Sequence, residues 1–409
     1  MKLLYLNPLG QVGGAERALL DTIATVRRAR PGWEIQLLLG QDGPLAAQAK
    51  GLVDQVRVVP FPPRLARLGD ASLADRAAGS LQSLSVLGRL MTDGARSASY
   101  IRLLGKTIAS IDPDVIHSNG FKMHVLGAWT RPARSALVWH LHDYVSSRPL
   151  TSRLLRILSR RCTTIVANSE SVSADARRQF GDGVEIRTIL NAVDLKRFHP
   201  DGPRVDLDGL AGLPPADAGT VRVGLVATFA RWKGHLTFLE ALARLDPAID
   251  VRGYIVGGPL YETDGSQYTR SELETAARRL GLESKVGFTG FVADSSAAMR
   301  SLDVVVHASA APEPFGLVIA EAMATGKPVV VSFAGGAREL VTPEVDALVH
   351  QPGDAGGLAE AIARLATDSA LRSRLGRAGR QSAVERFDLT RAGRQMLECY
   401  ERLGRAAAA

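Results

Sequence analysis

The stretch AAPEPFGLVIAEAMATGKPVVV, residues 310–331, sets two carboxylates, Glu313 and Glu321, eight positions apart around an apolar run. Pro312 and Pro314 disfavour helix at the residues before them, so the helix carrying LVIAEAMA is expected to begin near Gly316 or Leu317, with Glu313 in the loop ahead of it. At helical spacing Glu321 lies about one turn inside, on the side of Leu317 and Val318, and its side chain leans back toward the helix start. Gly326, Lys327 and Pro328 then stop the helix before the strand PVVVS. Unpaired amides at Gly316, Leu317 and Val318 make that start an anion site. A phosphate held there would be flanked by two carboxylates able to accept hydrogen bonds from sugar hydroxyls, a combination that fits a nucleotide sugar. Two surface glutamates on a buried helix are the plainer meaning of the same spacing.

Working outward, 409 residues are too many for one compact core and point to two domains of ordinary size. A 46% hydrophobic and 22% charged composition describes a globular protein. Two distant cysteines, Cys162 and Cys399, build neither a disulfide framework nor a zinc site and suit a reduced, cytoplasmic setting. Residues 1–6, MKLLYL, resemble the start of a signal peptide, but Asn7, Pro8 and Gly10 break the run, which reads as a first buried strand. No window approaches the length of apolar sequence a membrane span requires. The net charge of +8, mainly arginine, fits either a solvated surface or the recruitment of anionic partners.

The N-terminal half alternates short apolar runs with helical patterns, the signature of a parallel sheet flanked by helices. Expected strands are 2–7, 34–39, 55–60, 115–118, 136–140, 164–168 and 185–190, with a helical region at 64–110. Gly10, Gly13 and Gly14 loosen a loop running into an amphipathic helix, so its backbone can approach a phosphate. Their spacing is not that of a dinucleotide fingerprint, and Leu39-Gly40-Gln41 replaces the acidic residue expected after the second strand. Two later strands end in polar residues, His117, Ser118 and Asn119 in one and His140, His142 and Asp143 in the other. Carboxyl ends of parallel strands face the crevice where ligands bind. The helical run TSRLLRILSRR, 151–161, carries arginines on its open faces and reads either as a solvated face or as a surface for anionic membranes.

Residues 201–219 lose periodicity and read as a linker between a domain at 1–200 and a second at 220–386, with a last helical segment at 387–409. The second sheet is expected to open at 221–228. Arg231 and Lys233 follow where strand hands over to helix, two cations suited to a diphosphate. Residues 286–292, VGFTGFV, form another strand ending in a turn glycine, Gly290.

The Glu-Pro-Phe-Gly, apolar helix, Glu and Gly-x-Pro-Val series of 313–330 resembles glycosyltransferase family 4, as do NAVDLKRF at 191–198 and VGFTGFV. The resemblance covers residues 1 to about 400. It implies the GT-B fold, in which two Rossmann-like domains face each other across a cleft and a C-terminal helix crosses back to the N-terminal domain. It also implies a retaining, metal-independent transfer of sugar from a UDP- or GDP-linked donor to an acceptor hydroxyl. By that resemblance Glu313, Arg231, Lys233 and His142 are the catalytic set. Gly13, Gly14, Gly290, Phe291, Val292, Phe315, Gly316, Leu317, Val318 and Glu321 bind the donor, and His117, Asn119, His140 and Asp143 line the acceptor side. Thr228 stands where the family usually has its arginine, so either Arg231 reaches the diphosphate from another point of the loop, the favoured reading, or Lys233 carries most of the charge. No Asp-x-Asp pair is placed for a metal, no cofactor beyond the donor is expected, and the acceptor is a small molecule, a glycan or a lipid-linked sugar. Nucleic acid is not an expected partner; peripheral contact with the inner face of an anionic membrane is. A sugar-nucleotide epimerase and a catalytically silent sugar-nucleotide-binding protein are the alternatives.

Overall fold

The computed structural model describes residues 1–62, 94–260 and 266–408. Two units are present, residues 1–191 with 389–409 in the first and 192–388 in the second. The first contains β1 Lys2–Asn7, α1 Gly14–Ala29, β2 Glu34–Leu39, α2 Pro44–Ala49, β3 Gln55–Val58, α3 Gly94–Ile111 and β4 Val115–Asn119. It continues through α4 Phe121–Thr130, β5 Ala136–Leu141, α5 Pro149–Leu158, β6 Thr164–Ala167, α6 Glu170–Phe180 and β7 Glu185–Thr188. Of the helical region expected at 64–110, only the α3 part falls within the described residues.

All strand pairs in the first sheet are parallel, in the order β3-β2-β1-β4-β5-β6-β7. Strand alternation separates the two faces. Leu3 and Tyr5 point to the layer containing α1, while Leu4 and Leu6 point to the layer of α3, α4 and α5. Each such side chain removed from water contributes roughly 1.5–3 kcal/mol.

The second unit holds α7 Leu207–Ala211, β8 Val221–Val226, α8 His235–Ala243, β9 Val251–Val256, α9 Arg270–Arg279 and β10 Val286–Gly290. It continues with α10 Ser295–Ser301, β11 Val304–His307, α11 Leu317–Ala324, β12 Val329–Ser332, α12 Ala337–Leu340, β13 Leu348–His350, α13 Ala355–Thr367 and α14 Ser369–Arg386. Its strands run parallel in the order β10-β9-β8-β11-β12-β13. The order therefore reverses direction between β1 and β4 in one sheet and between β8 and β11 in the other, the switch points at which open α/β sheets bind ligands.

The expected linker at 201–219 is instead part of the second unit. Asp208 of α7 accepts from Tyr254 and from Arg252 at 2.8 Å and pairs with Arg222 at 3.3 Å. The buried Arg300 donates to the carbonyls of Pro203, Arg197 and His199. Loss of helical or strand periodicity therefore marked an irregular path, not a detached one. The final helix, α15 Leu389–Ala408, packs Met396, Cys399, Tyr400 and Leu403 into the first unit's core at i, i+3, i+4 and i+7 spacing. Both cysteines are free and buried, and no helix among the described residues is long and apolar enough to cross a membrane.

Candidate active site

The second unit's switch point is built by two loops forced together. Lys233 ends a 3-10 turn after β8, and Gly234 follows at φ +76°, where a Cβ would lie 1.8 Å from the Ala308 carbonyl beyond β11. No side chain can be accommodated there without moving backbone. The Ala310 amide, in turn, donates to the Trp232 carbonyl at 2.7 Å. This close approach carries Lys233 to Glu313: its Nζ donates to Oε1 and Oε2 at 3.0 and 2.8 Å.

Glu313 is buried, and its backbone is fixed by the Gly336 amide, which donates to its carbonyl at 2.7 Å. Oε2 also accepts from Ser309 Oγ at 2.9 Å and lies 3.1 Å from His307 Nε2. The carboxylate can only accept, so the Nε2-protonated form of His307 suits this contact. Burial pushes the carboxyl up, but the Lys233 charge and the hydrogen bonds from His307 and Lys233 outweigh it and hold the pKa at about 2. Ser309 and Glu313 both meet the same imidazole nitrogen, 3.0 and 3.1 Å away, so the trio lacks the two-ended relay of a hydrolytic triad.

Helix α11 starts beside this network, as the proline spacing leads one to expect. Gly316, its N-cap, has φ +94° and no side chain to occupy the first amides. Ile319, Ala320, Ala322, Met323 and Ala324 are buried, whereas Leu317, Val318 and Glu321 are only half-buried. An almost wholly apolar helix thus keeps one open stripe, and the second glutamate stands on it. Phe315 is buried edge-on against Phe387, ring centroids 6.0 Å apart, which anchors the loop before the helix. At β10, Gly290 takes φ +70° and its carbonyl accepts from the Gly257 amide. The strand stops there, so Phe291, 59% exposed, and the half-buried Val292 lie beyond it.

Arg231 departs from expectation. Its guanidinium stacks on Tyr268 at 4.4 Å from the ring centroid and pairs with Glu272 at 2.9 Å, near the start of α9. The cation that meets Glu313 is Lys233. The reason is local: Glu272 caps α9 by accepting from the Thr269 amide, and its carboxylate then stands within reach of Arg231.

In the first unit the glycine loop is also less open than its sequence suggests. The Gly13 amide donates to Glu16 Oε2 at 3.1 Å, so the chain's own buried carboxylate takes that donor as α1 begins at Gly14. Asn7 and Asn119 join β1 to β4 at their carboxyl ends through a 2.7 Å bond. Beside them lies a cluster of imidazoles: His117 and His140 meet edge to face with centroids 5.1 Å apart, and His140 and His142 are tilted at 4.0 Å. Tyr400 of α15 hydrogen-bonds His117 Nδ1 at 2.7 Å. Burial, and then His142, pulls His117 down to about 3; burial alone pulls His142 to about 4. Both ring nitrogens of His140 and of His142 are shielded without a hydrogen-bond partner among the described residues. Asp143 accepts from the Tyr144 amide and lies 3.7 Å from Arg148, a loop-bracing arrangement.

His307 and Ser309 were not singled out from the sequence. The signal is present in the sequence, because a histidine closing a parallel strand is the same pattern as at His117 and His140. No group of three or more His, Cys, Asp or Glu side chains suited to a metal occurs among the described residues.

Family models match in both units: the one for glycosyl transferases group 1 over residues 215–382, and the one for Glycosyltransferase Family 4 over residues 81–197. The lipopolysaccharide core biosynthesis glycosyltransferase LpsE of Rhizobium meliloti (strain 1021) is 31% identical over 268 residues, 65% of this chain and 72% of that protein. The phosphatidyl-myo-inositol mannosyltransferase of Mycobacterium leprae (strain TN) is 31% identical over 300 residues, 71% and 74% of the two chains. Among solved structures, Anabaena Alr3699/HepE in complex with UDP-glucose superposes with TM-score 0.79 at 30% identity, over 98% of this chain and all of that one.

Proposed function

Because the chain belongs to glycosyltransferase family 4 and has the two-domain GT-B fold, we propose that it moves a sugar, with retention of configuration, from a UDP-linked donor to an acceptor hydroxyl. GDP is the alternative base carrier, and the acceptor is a glycan, a lipid-linked sugar or a small molecule. The observation that carries the reading is the Lys233–Glu313 pair beside the uncapped start of α11, at the switch point of the second sheet. HepE bound to UDP-glucose supports the choice of UDP.

Breaking the anomeric bond places negative charge on the departing diphosphate and positive charge on the sugar carbon. An ammonium has three donors; two are directed at Glu313 and the group lies 3.9 Å over the Trp232 ring, so a phosphate oxygen would take the third donor in place of that ring contact. Lys233 and the amides of Gly316, Leu317 and Val318 would take up that charge without reorganising, an effect that commonly supplies about 3–4 kcal/mol per donor removed. Glu313, ionised throughout the physiological range, would accept from a hydroxyl of the transferred sugar, and Glu321 from the ribose. His142 would hydrogen-bond near the sugar as a neutral imidazole. The reading needs no metal and no cofactor besides the donor, and sets the protein in the cytoplasm with peripheral contact to an anionic membrane.

The test is incubation with UDP- and GDP-sugars, with and without a panel of glycan, lipid and small-molecule acceptors, in the presence of EDTA. Transfer that needs the acceptor, survives EDTA and gives an α-linked product from an α-linked donor is expected. Turnover of the donor alone would favour an epimerase, and an inverted product would end the retaining assignment.

A further inference from the structure

The chain's charge is unevenly placed. Residues 94–161 hold eleven Lys or Arg and three Asp or Glu, an excess equal to the net charge of +8 of the whole chain. Everything outside this segment is neutral in sum. No carboxylate lies on α3, α4 or α5. The three acidic residues are in the connecting loops and already engaged: Asp112 with Arg134, Asp114 with the Lys2 amide and Asp143 with Arg148.

These three helices form one layer on a single face of the first sheet. Leu104, Ile108, Met123, Leu126, Leu155 and Leu158 all turn into the same core cluster. The other sides of α3 and α5 face solvent, and on α4 Trp129 alone is exposed. Arg102, Lys106, Arg153, Arg156, Arg160 and Arg161 are exposed, and none forms an ion pair among the described residues. Large apolar side chains are exposed between them: Ile157 at 71%, Leu103 at 53% and Trp129 at 41%. On α5 the pattern is helical, with Leu150, Arg153 and Ile157 at i, i+3 and i+7 opposite the buried Ser152, Leu155 and Leu158.

We infer that the outer face of α3, α4 and α5 is a docking surface for a bilayer containing anionic lipid. This deepens the membrane contact proposed above by placing it on named residues. A soluble polyanion would satisfy the guanidinium groups and leave Ile157, Leu103 and Trp129 wet. A bilayer interface takes both at once: phosphate and carboxylate headgroups meet the arginines, while the acyl boundary receives the aliphatic side chains and the indole. Arginine suits this role because it binds phosphate through paired donors. Apolar atoms interleaved with cations, and a helix layer without a carboxylate to repel the headgroups, together select the lipid surface.

The experiment is co-sedimentation of the full chain with vesicles of phosphatidylcholine alone and of phosphatidylcholine with about one-third phosphatidylglycerol, in low and high salt. Binding to the anionic vesicles, weakened by salt and at least tenfold tighter than to the neutral ones, is expected. The combined variant Arg153→Glu, Arg156→Glu, Arg160→Glu should lose at least tenfold in that binding, and Ile157→Asp severalfold. All four positions are exposed, and circular dichroism checks that each variant is folded. Brominated acyl chains should quench fluorescence in the wild type and not in Trp129→Phe. Equal binding by the charge-reversed variant would overturn the inference. So would absence of vesicle binding, or displacement from vesicles by stoichiometric dextran sulfate with no quenching by brominated lipid. No donor or turnover enters this assay, so its failure and a failure of sugar transfer are separate results.

Discussion

The two sheets share the order of six strands, β7 being an extra edge strand of the first, yet their switch points are chemically opposite. Between β1 and β4 the first unit holds neutral imidazoles, the buried His117 and His140 and the half-buried His142, and closes its glycine loop with the chain's own Glu16. Between β8 and β11 the second unit keeps a full ion pair, Lys233 with Glu313, and leaves a helix start without a side-chain cap. The shared topology thus supplies only the place. What enters is decided by the residues at the strand ends: uncharged hydrogen-bonding groups suit hydroxyls, whereas a cation and free amides suit phosphate.

The most severe way to break this contrast is to remove the charge at the second switch point. Lys233→Ala and Glu313→Ala should each lower kcat/KM by about 10²–10³, with Lys233→Ala raising KM for the donor and Glu313→Ala acting mainly on kcat. Steady-state kinetics with varied donor checks the split, and wild-type turnover in either variant would remove that residue from the site.

Acid should separate the units next. The folded-state pKa values of His117 and His142, about 3 and 4, lie below the ordinary value of 6.5, so the unfolded chain binds more protons between them. Stability is therefore fully present above about pH 6.5 and is lost as pH falls toward 4, on the order of 2 kcal/mol for each histidine by pH 5. Glu313, held at about 2, contributes stability that is lost only below about pH 4.5. Hydrogen exchange, corrected for intrinsic rates, should show β4 and β5 losing protection at pH 5 before β11 and β12; the reverse order would refute the assignment.

Smaller effects sharpen the comparison. Tyr400→Phe removes the partner of His117 and should cost about 1 kcal/mol of stability, read by chemical denaturation. Arg231→Ala breaks an exposed pair with Glu272 and should change stability by less than about 1 kcal/mol and kcat by less than twofold. A hundredfold loss of kcat in Arg231→Ala would return it to the catalytic set.

Much of this was legible in the sequence. The βα alternation, the proline-delimited start of α11 and the Glu313–Glu321 spacing are local signals, and local signals survive folding. Nothing local signals the pairing of Arg231, because its partner, Glu272, lies forty-one residues away and is positioned by a cap at Thr269. Glycine spacing makes the Gly13 loop look open, and nothing in it reveals that Glu16 folds back onto it. Residues 201–219 read as detached in sequence because Asp208 and Arg300 hold that path through contacts that leave no periodicity.

The central claim is that phosphate binds at the charged switch point and not at the neutral one. Calorimetric titration of UDP into the wild type, Lys233→Gln and His142→Gln tests it most directly. At least tenfold weaker binding to Lys233→Gln, with His142→Gln within twofold of the wild type, is the result expected from one lost charge-assisted hydrogen bond. UDP affinity left intact by Lys233→Gln, or lost in His142→Gln, would contradict the account.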